Sequence, residues 1–363
     1  MPTTSNVVGI DLFSGVGGLT LGARMAGIDV KYAVEQDDFA AKAFKLNHPK
    51  VKMINKDIGK VMRDEFLIEK NSSVILFGGP PCQGYSTSNQ KTRNKDNPKN
   101  WLFKEFVRLA KEIKPDWIVL ENVKGIVETE KGFFVKTIRS SFEKLGYTCI
   151  EFLLSASDYG VPQNRDRFFL IGSRNNIRIE HPKPHNSTIS VEEAFADLPV
   201  LKNGASVDRL PYRGKAKNEY AKMMRGNLTS CTGHLVSRNS DVVIERYAYI
   251  PQGGNWRNIP DELMQNYKDK SRCHTGVYKR LKADEPAMTV GNYRKSMIIH
   301  PVEDRGLSVR EAARLQSFPD SYLFYGSIGY QQQQVGNAVP PLLAKAVFDE
   351  IMKALNREWS NQK

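Results

Sequence analysis

Short continuous apolar runs recur along the first half of the chain, separated by longer stretches of mixed polarity. Val7-Val8-Gly9-Ile10 is the first run, Val30 to Val34 the second, and a third lies near Val51 to Ile54. Val74-Ile75-Leu76-Phe77, Trp117-Ile118-Val119-Leu120 and Arg167-Phe168-Phe169-Leu170-Ile171 continue the series. Runs without polar alternation predict strands buried on both faces. Helix signals lie between them. A glycine-rich turn after the first run leads into a helical stretch to about Met25. Asn97-Pro98 reads as a cap followed by a first turn. Leu102, Phe103, Phe106, Leu109, Ala110 and Ile113 then keep helical spacing until Lys114-Pro115. This alternation predicts an α/β fold with a doubly wound, Rossmann-like, mostly parallel sheet.

The texture changes near His181, where His181-Pro182-Lys183-Pro184-His185-Asn186 reads as a proline-broken linker. The chain to about Arg305 is rich in loops and shows no regular alternation, which predicts a second, smaller domain. Ser308 with Glu311 three residues later is a capping box opening a helix to about Gln316. Pro340-Pro341 precedes a final helix. The expected division is 1–185, 186–321, and 322–363 returning to the first domain. No internal repeat is present.

Composition narrows the partner class. Forty per cent apolar and 26% charged residues suit a globular core and exclude wholesale disorder. Lysine plus arginine outnumbers aspartate plus glutamate 53 to 40, a net charge of +13, so a polyanion such as nucleic acid leads. Residues 201–240 concentrate the excess, with eight basic and two acidic residues. No stretch approaches the roughly 20 apolar residues of a membrane span. Met1 to Asn6 is short and polar, unlike a signal peptide. The expected location is the cytoplasm, in association with a bacterial or archaeal nucleoid. Cys82, Cys149, Cys231 and Cys273 form no C-x-x-C pair, so neither a disulfide framework nor a metal site is expected. Cys149, Cys231 and Cys273 read as small buried hydrophobes.

Reactive residue types fall where the predicted strands end, the edge at which such sheets bind ligands. Asp11 and Gly15-Val16-Gly17-Gly18 follow the first strand. Thr20 breaks the dinucleotide spacing G-x-G-x-x-G, and no Walker G-K-S/T is present. Glu35 ends the second strand, where a carboxylate can accept hydrogen bonds from ribose hydroxyls; Asp57-Ile58 follows the third. Gly78-Gly79-Pro80-Pro81 leads rigidly into Cys82, a placement that suits nucleophilic attack by a thiolate. Glu121-Asn122 follows the next strand.

Six segments in order resemble the motifs of the DNA (cytosine-5)-methyltransferases of bacterial restriction-modification type. They are Asp11 to Gly18, Gly78 to Ser86, Glu121-Asn122-Val123, Gln163-Asn164-Arg165-Asp166-Arg167, Arg310 to Pro319, and Gln334 to Pro341. The resemblance runs from residue 8 to about 345. It implies an S-adenosylmethionine-dependent methyltransferase domain, a smaller target-recognition domain and S-adenosylhomocysteine as product. Asp11, Phe13, Gly15, Gly17, Gly18 and Leu19 would form the cofactor turn. Glu35 would hold the ribose, with Asp57 and Ile58 at the adenine. Pro80, Asn337 and Ala338 would complete the pocket. Many members carry an aromatic residue where this chain has Gln36.

The same resemblance implies the chemistry. Cys82 would add to C6 of cytosine, Glu121 would bind N3 and the exocyclic amine, and Arg165 would bind the O2 carbonyl. Arg167 stands between a catalytic and a structural role. A stacked base hides its face, so the target must be flipped out. Residues 85–100 read as a mobile polar loop closing over DNA, with Ser86, Ser88, Lys91 and Arg93 as expected contacts. Thr289-Val290 resembles the Thr-Leu/Val pair of the recognition domain, and Thr289 is an expected DNA contact. Implied partners are double-stranded DNA and a cognate restriction endonuclease acting on the same site, with the chain a monomer. The substantial variable segment favours duplex DNA over the tRNA substrate of a related branch. Intact Cys82, Glu121 and Arg165 argue against a catalytically dead DNA-binding protein.

Overall fold

The computed structural model describes residues 7–81, 98–265, 267, 275–291 and 293–361. The chain divides into two compact units. The first comprises Met1–Ala156, Asp166–Pro184 and Pro341–Lys363; the second comprises Ser157–Arg165 and His185–Pro340. Residues 322–340 thus belong to the second unit and the final helix to the first.

The first unit is built on a seven-stranded sheet. Its strands are β1 (Val7–Leu12), β2 (Asp29–Val34), β3 (Lys52–Ile54), β4 (Ser73–Gly78), β5 (Trp117–Val123), β6 (Thr148–Ser155) and β7 (Asp166–Ser173). The order is β3-β2-β1-β4-β5-β7-β6. Pairings among β1 to β5 are parallel, whereas β7 runs antiparallel to both β5 and β6. The apolar runs become these strands because β1 and β4 lie inside the sheet with both faces covered. β6 carries no continuous apolar run. It is an edge strand with partly exposed Ile150, Glu151 and Leu153 among its buried residues, so its signal is weaker.

Helix Phe103–Ile113 buries Phe103, Phe106, Leu109 and Ala110, the stripe that the spacing predicts, and stops at Lys114 in left-handed conformation. Asp37 caps helix Asp38–Asn47, its side chain accepting from the Ala40 N–H at 2.7 Å. Helix Gly18–Met25 lies against the final helix, Pro341–Asn361. A Cβ at Gly22 would stand 2.4 Å from Ala344 Cβ and 2.7 Å from the Pro341 carbonyl oxygen, so only glycine permits this approach.

The second unit is organised by buried guanidinium groups. Arg314, fully buried, donates to Asp197 and Asp320, both at 2.6 Å, and to the Ala194 carbonyl. Arg310 gathers the carbonyls of Thr232, Pro319 and Tyr322. The capping box at Ser308 is formed: Ser308 Oγ accepts from the Glu311 N–H and Glu311 Oε2 from the Ser308 N–H. Glu311 also takes Arg305 in two parallel bonds of 2.9 and 2.7 Å, which pull its carboxyl down to about 2 against the cost of burial. A second small core collects Tyr247, Ile250, Ile259, Met264, Tyr278 and Ile299. Part of the basic excess of residues 201–240 is spent internally, since Arg225 reaches Asp197 and the carbonyls of Gly214 and Leu228. Cys149 and Cys231 are free and buried.

Replacing Gly22 by valine should force the two helices apart and cost about 1–3 kcal/mol, the usual penalty of overpacking. Urea unfolding should show a lower midpoint with an unchanged slope.

Candidate active site

β1 delivers Asp11 and then a turn of unusual backbone geometry. Phe13, Gly15 and Gly17 all have positive φ, at 58°, 55° and 94°. A side chain pays for that conformation and glycine does not, so the two glycines suit the turn while Phe13 is held in it. A Cβ at Gly15 would meet nothing within 4 Å, so this stretch of backbone faces open space. Gly17 caps helix Gly18–Met25 with no side-chain bond to the helix N–H groups. Gly18 and Leu19 are buried in its first turn.

β2 leads directly into Glu35, whose carboxylate ties the turn down. Oε2 accepts from the Gly15 N–H and Oε1 from the Asp37 N–H, each at 2.8 Å. Burial raises the Glu35 carboxyl and these two bonds lower it; the net shift is upward. The four lone pairs of the two oxygens exceed the backbone donors around them, which leaves room for a further one. Gln36 is exposed. Beyond β3, exposed Asp57 accepts from the Gly59 N–H at 2.8 Å and Ile58 is buried.

Asp11 is fully buried. Its Oδ2 accepts from Thr20 Oγ1 at 2.6 Å, while Oδ1 has no hydrogen-bond partner. Burial pushes the carboxyl from its ordinary 3.8 up to about 8, with Thr20 opposing and Glu35 assisting.

β4 and β5 pair in parallel, with Gly78 opposite Leu120. The next residue on each strand therefore emerges at the same edge. A Cβ at Gly79 would stand 2.6 Å from Glu121 Oε2, so glycine there makes room for the carboxylate. Glu121 Oε1 is 2.9 Å from Arg167 Nε, and both side chains are about nine-tenths buried. Arg167 also donates to the Asp166 carbonyl at 2.8 Å. Antiparallel pairing of β7 with β5 brings Arg167 to this end of the sheet, opposite Val123. Asn122 Nδ2 donates to the Pro80 carbonyl at 3.1 Å, pinning the approach to Cys82. Cys82, Ser86, Ser88, Lys91 and Arg93 lie outside the described residues.

Arg165, Asn337, Ala338 and Thr289 belong to the second unit. Arg165 is buried and donates to the carbonyls of Val290, Gly336 and Ala338 at 3.3, 2.8 and 3.0 Å. Those segments cross closely, since a Cβ at Gly336 would stand 2.1 Å from the Gly291 carbonyl oxygen. Gln163 bonds the Leu315 carbonyl and the Val290 N–H. Exposed Asn337 ends helix Ile328–Asn337, and Ala338 is half-buried. Thr289 Oγ1 donates to the Asn164 carbonyl at 2.8 Å.

Comparison with known proteins shows the family. The family model of C-5 cytosine-specific DNA methylases matches residues 7–353. The chain belongs to that family. It is an enzyme, a cytosine-5 DNA methyltransferase acting on DNA. The methylase is 35% identical to the type II methyltransferase M.DdeI of Desulfomicrobium norvegicum, over 94% of this chain and 88% of that protein. It is 34% identical to the type II methyltransferase M1.HphI of Haemophilus parahaemolyticus, over 96% of this chain and 87% of that protein. Among solved structures it is similar to a protein described as a DNA modification methyltransferase encoded within an E. coli prophage. The TM-score is 0.78 and the identity 26%, over 96% of this chain and 99% of the other. The α/β class expected from the strand pattern holds for the methylase. Among the described residues, no helix is long and apolar enough to cross a membrane, and no group of three or more metal-ligating side chains occurs.

Two features of the methylase's site had little signal in the sequence. Thr20 stands out there only as the residue that breaks a dinucleotide spacing, whereas it supplies the hydrogen bond to Asp11. The Glu121–Arg167 pair joins residues 46 positions apart, a separation that no local pattern spans.

The raised carboxyl of Asp11 gives a pH test with a definite sign. Between about 4 and 8 the folded protein holds a proton that the unfolded chain releases. The stability tied to it is fully present below the ordinary carboxylate value and is lost as pH rises through about 8. The slope is at most about 1.4 kcal/mol per pH unit for one proton. Asp11→Asn should flatten this fall in urea unfolding across that range; equal slopes in both proteins would remove Asp11 as its source.

Proposed function

We propose that the methylase transfers a methyl group from S-adenosylmethionine to C5 of a flipped cytosine within a specific double-stranded DNA sequence, through a covalent bond between Cys82 and C6. The observation that carries this reading is the edge where β4 ends beside β5, with Gly78 opposite Leu120. One strand runs into Pro80-Pro81-Cys82 and the other presents Glu121, buried and charge-paired. We place the enzyme as the modification half of a restriction-modification system, on the strength of relatives named type II methyltransferases.

The residues present fit the cofactor. Open backbone at Gly15, a spare lone pair on Glu35 and the unpartnered Oδ1 of buried Asp11 suit a ligand carrying hydroxyls. Phe13, Gly15, Gly17, Gly18 and Leu19 would line its amino-acid end. Glu35 would meet the ribose, Gln36, Asp57 and Ile58 the adenine, and Pro80, Asn337 and Ala338 the remainder. When bound, S-adenosylmethionine supplies an electrophilic methyl group on a sulfonium sulfur.

The chain's own residues do the rest. C5 of cytosine is a poor nucleophile. The Cys82 thiolate forms a bond to C6, and the displaced electron pair makes C5 nucleophilic. Glu121 receives the exocyclic amine and lies beside N3, where charge develops. Loss of the C5 proton then returns an electron pair to the ring and expels the Cys82 thiolate. Beside Glu121 the guanidinium is that of Arg167, so the base-side cation falls to Arg167. Arg165, engaged with three backbone carbonyls, reads as a positioning residue. Ser86, Ser88, Lys91, Arg93 and Thr289 are proposed DNA contacts, in which phosphates position the duplex and few side chains read base edges.

A duplex bearing 5-fluorocytosine at the target tests the covalent step, because fluorine does not leave as a cation. With S-adenosylmethionine present, the enzyme should form an adduct that survives denaturing electrophoresis. Cys82→Ser should form none and should lose methyl transfer while retaining cofactor binding. Methylation of the N4 amine without an adduct would overturn the reaction type. Affinity for duplex DNA should also fall linearly on a log–log plot against salt, as expected when a protein of net charge +13 displaces phosphate counterions. A flat plot would overturn the electrostatic reading.

A further inference from the structure

Behind the glycine turn lies a buried histidine that the reaction outlined above does not use. His48 follows helix Asp38–Asn47, its backbone N–H bonded to the Phe44 carbonyl at 2.8 Å, and is 1% exposed. Its Nδ1 is 3.1 Å from Arg24 Nη1. A guanidinium only donates, so Nδ1 accepts and the neutral ring carries its proton on Nε2. That side of the ring faces Gly17. A Cβ built there would stand 2.8 Å from Nε2, 2.9 Å from Cδ2 and 2.9 Å from the Phe44 ring. The imidazole leans on Phe44 with centroids 4.7 Å apart. Burial, with the Arg24 charge second, pushes it down to about 4, against a hydrogen bond from the ring to the Gly17 backbone. The ring is therefore neutral at any ordinary working pH.

Gly17 has no side chain of its own to fix the turn, and no side-chain cap serves the helix that starts there. A glycine-rich turn has much backbone freedom to lose. If it were ordered only on binding, its ligand would bear that cost as reduced affinity. Glu35 fastens the turn at Gly15 from the β2 side. His48 fastens Gly17 from behind.

We infer that His48 is a positioning residue for the cofactor: the neutral ring, oriented by Arg24, braces Gly17 so that the turn from Phe13 to Gly18 is formed before the ligand arrives. This rests on the reading of that turn as the S-adenosylmethionine site.

Calorimetric binding of S-adenosylhomocysteine to the full chain tests both and separates them. Wild type that binds none overturns the cofactor reading, and the inference with it. If wild type binds, His48→Leu should weaken binding about tenfold, the upper worth of one neutral hydrogen bond. His48→Gln, whose amide nitrogen donates at similar reach, should recover binding to within about threefold. In steady-state assays KM for S-adenosylmethionine should rise in step while kcat and KM for DNA hold, a split that a general loss of stability does not produce. A folded His48→Leu that binds within about twofold of wild type overturns the inference. Should His48→Leu fail to fold, Arg24→Met carries the test. It leaves the ring in place without its orienting donor and should weaken binding about threefold; unchanged affinity would overturn the proposal.

Discussion

Parallel pairing of β1 with β2 and β4, and of β4 with β5, obliges four chain segments to leave the sheet at one edge. Backbone hydrogen bonding enforces this, because each strand's register fixes where its neighbour stops. Asp11, Glu35, Gly79 and Glu121 are distant in sequence and share that edge as a result. β7 reaches it from the other direction, which is how Arg167 comes to stand beside Glu121. An antiparallel strand in an otherwise parallel sheet thus supplies the cation that pairs with Glu121.

Burial then sets the electrostatics. Glu121 and Arg167 are desolvated together and satisfy each other, whereas Asp11 is bonded by neutral Thr20 and ends with a strongly raised carboxyl. Space for these groups comes from missing side chains. Gly79 yields to Glu121, Gly17 to His48 and Phe44, and Gly22 to the final helix. The same residue type therefore serves a carboxylate, a buried imidazole and a helix crossing, and in each case the reason is the neighbour.

The second unit solves a different problem. It has few long elements, so guanidinium groups collect the carbonyls and carboxylates that a loop-rich chain leaves over. The segment from Arg310 to Pro319 is such a hub. Arg165 plays the same part for the crossing of Val290, Gly336 and Ala338.

Sequence by itself determined the element types wherever hydrophobic period and burial agree. β1, β4, β5 and β7 are continuous apolar runs because both their faces are covered; helix Phe103–Ile113 and the capping box at Ser308 are written in local spacing. It also set the candidate chemistry, since Asp11, Glu35 and Glu121 each follow a strand signal directly. β6 escaped because an edge strand mixes exposed and buried positions. Which arginine accompanies Glu121, what holds Asp11, and what stands behind Gly17 were decided only by tertiary structure. Those partners lie 9 to 46 residues apart, and the distances between them are fixed by strand register and helix packing. Local spacing encodes the face a residue turns to, whereas the residue it meets there depends on the packing of the whole sheet.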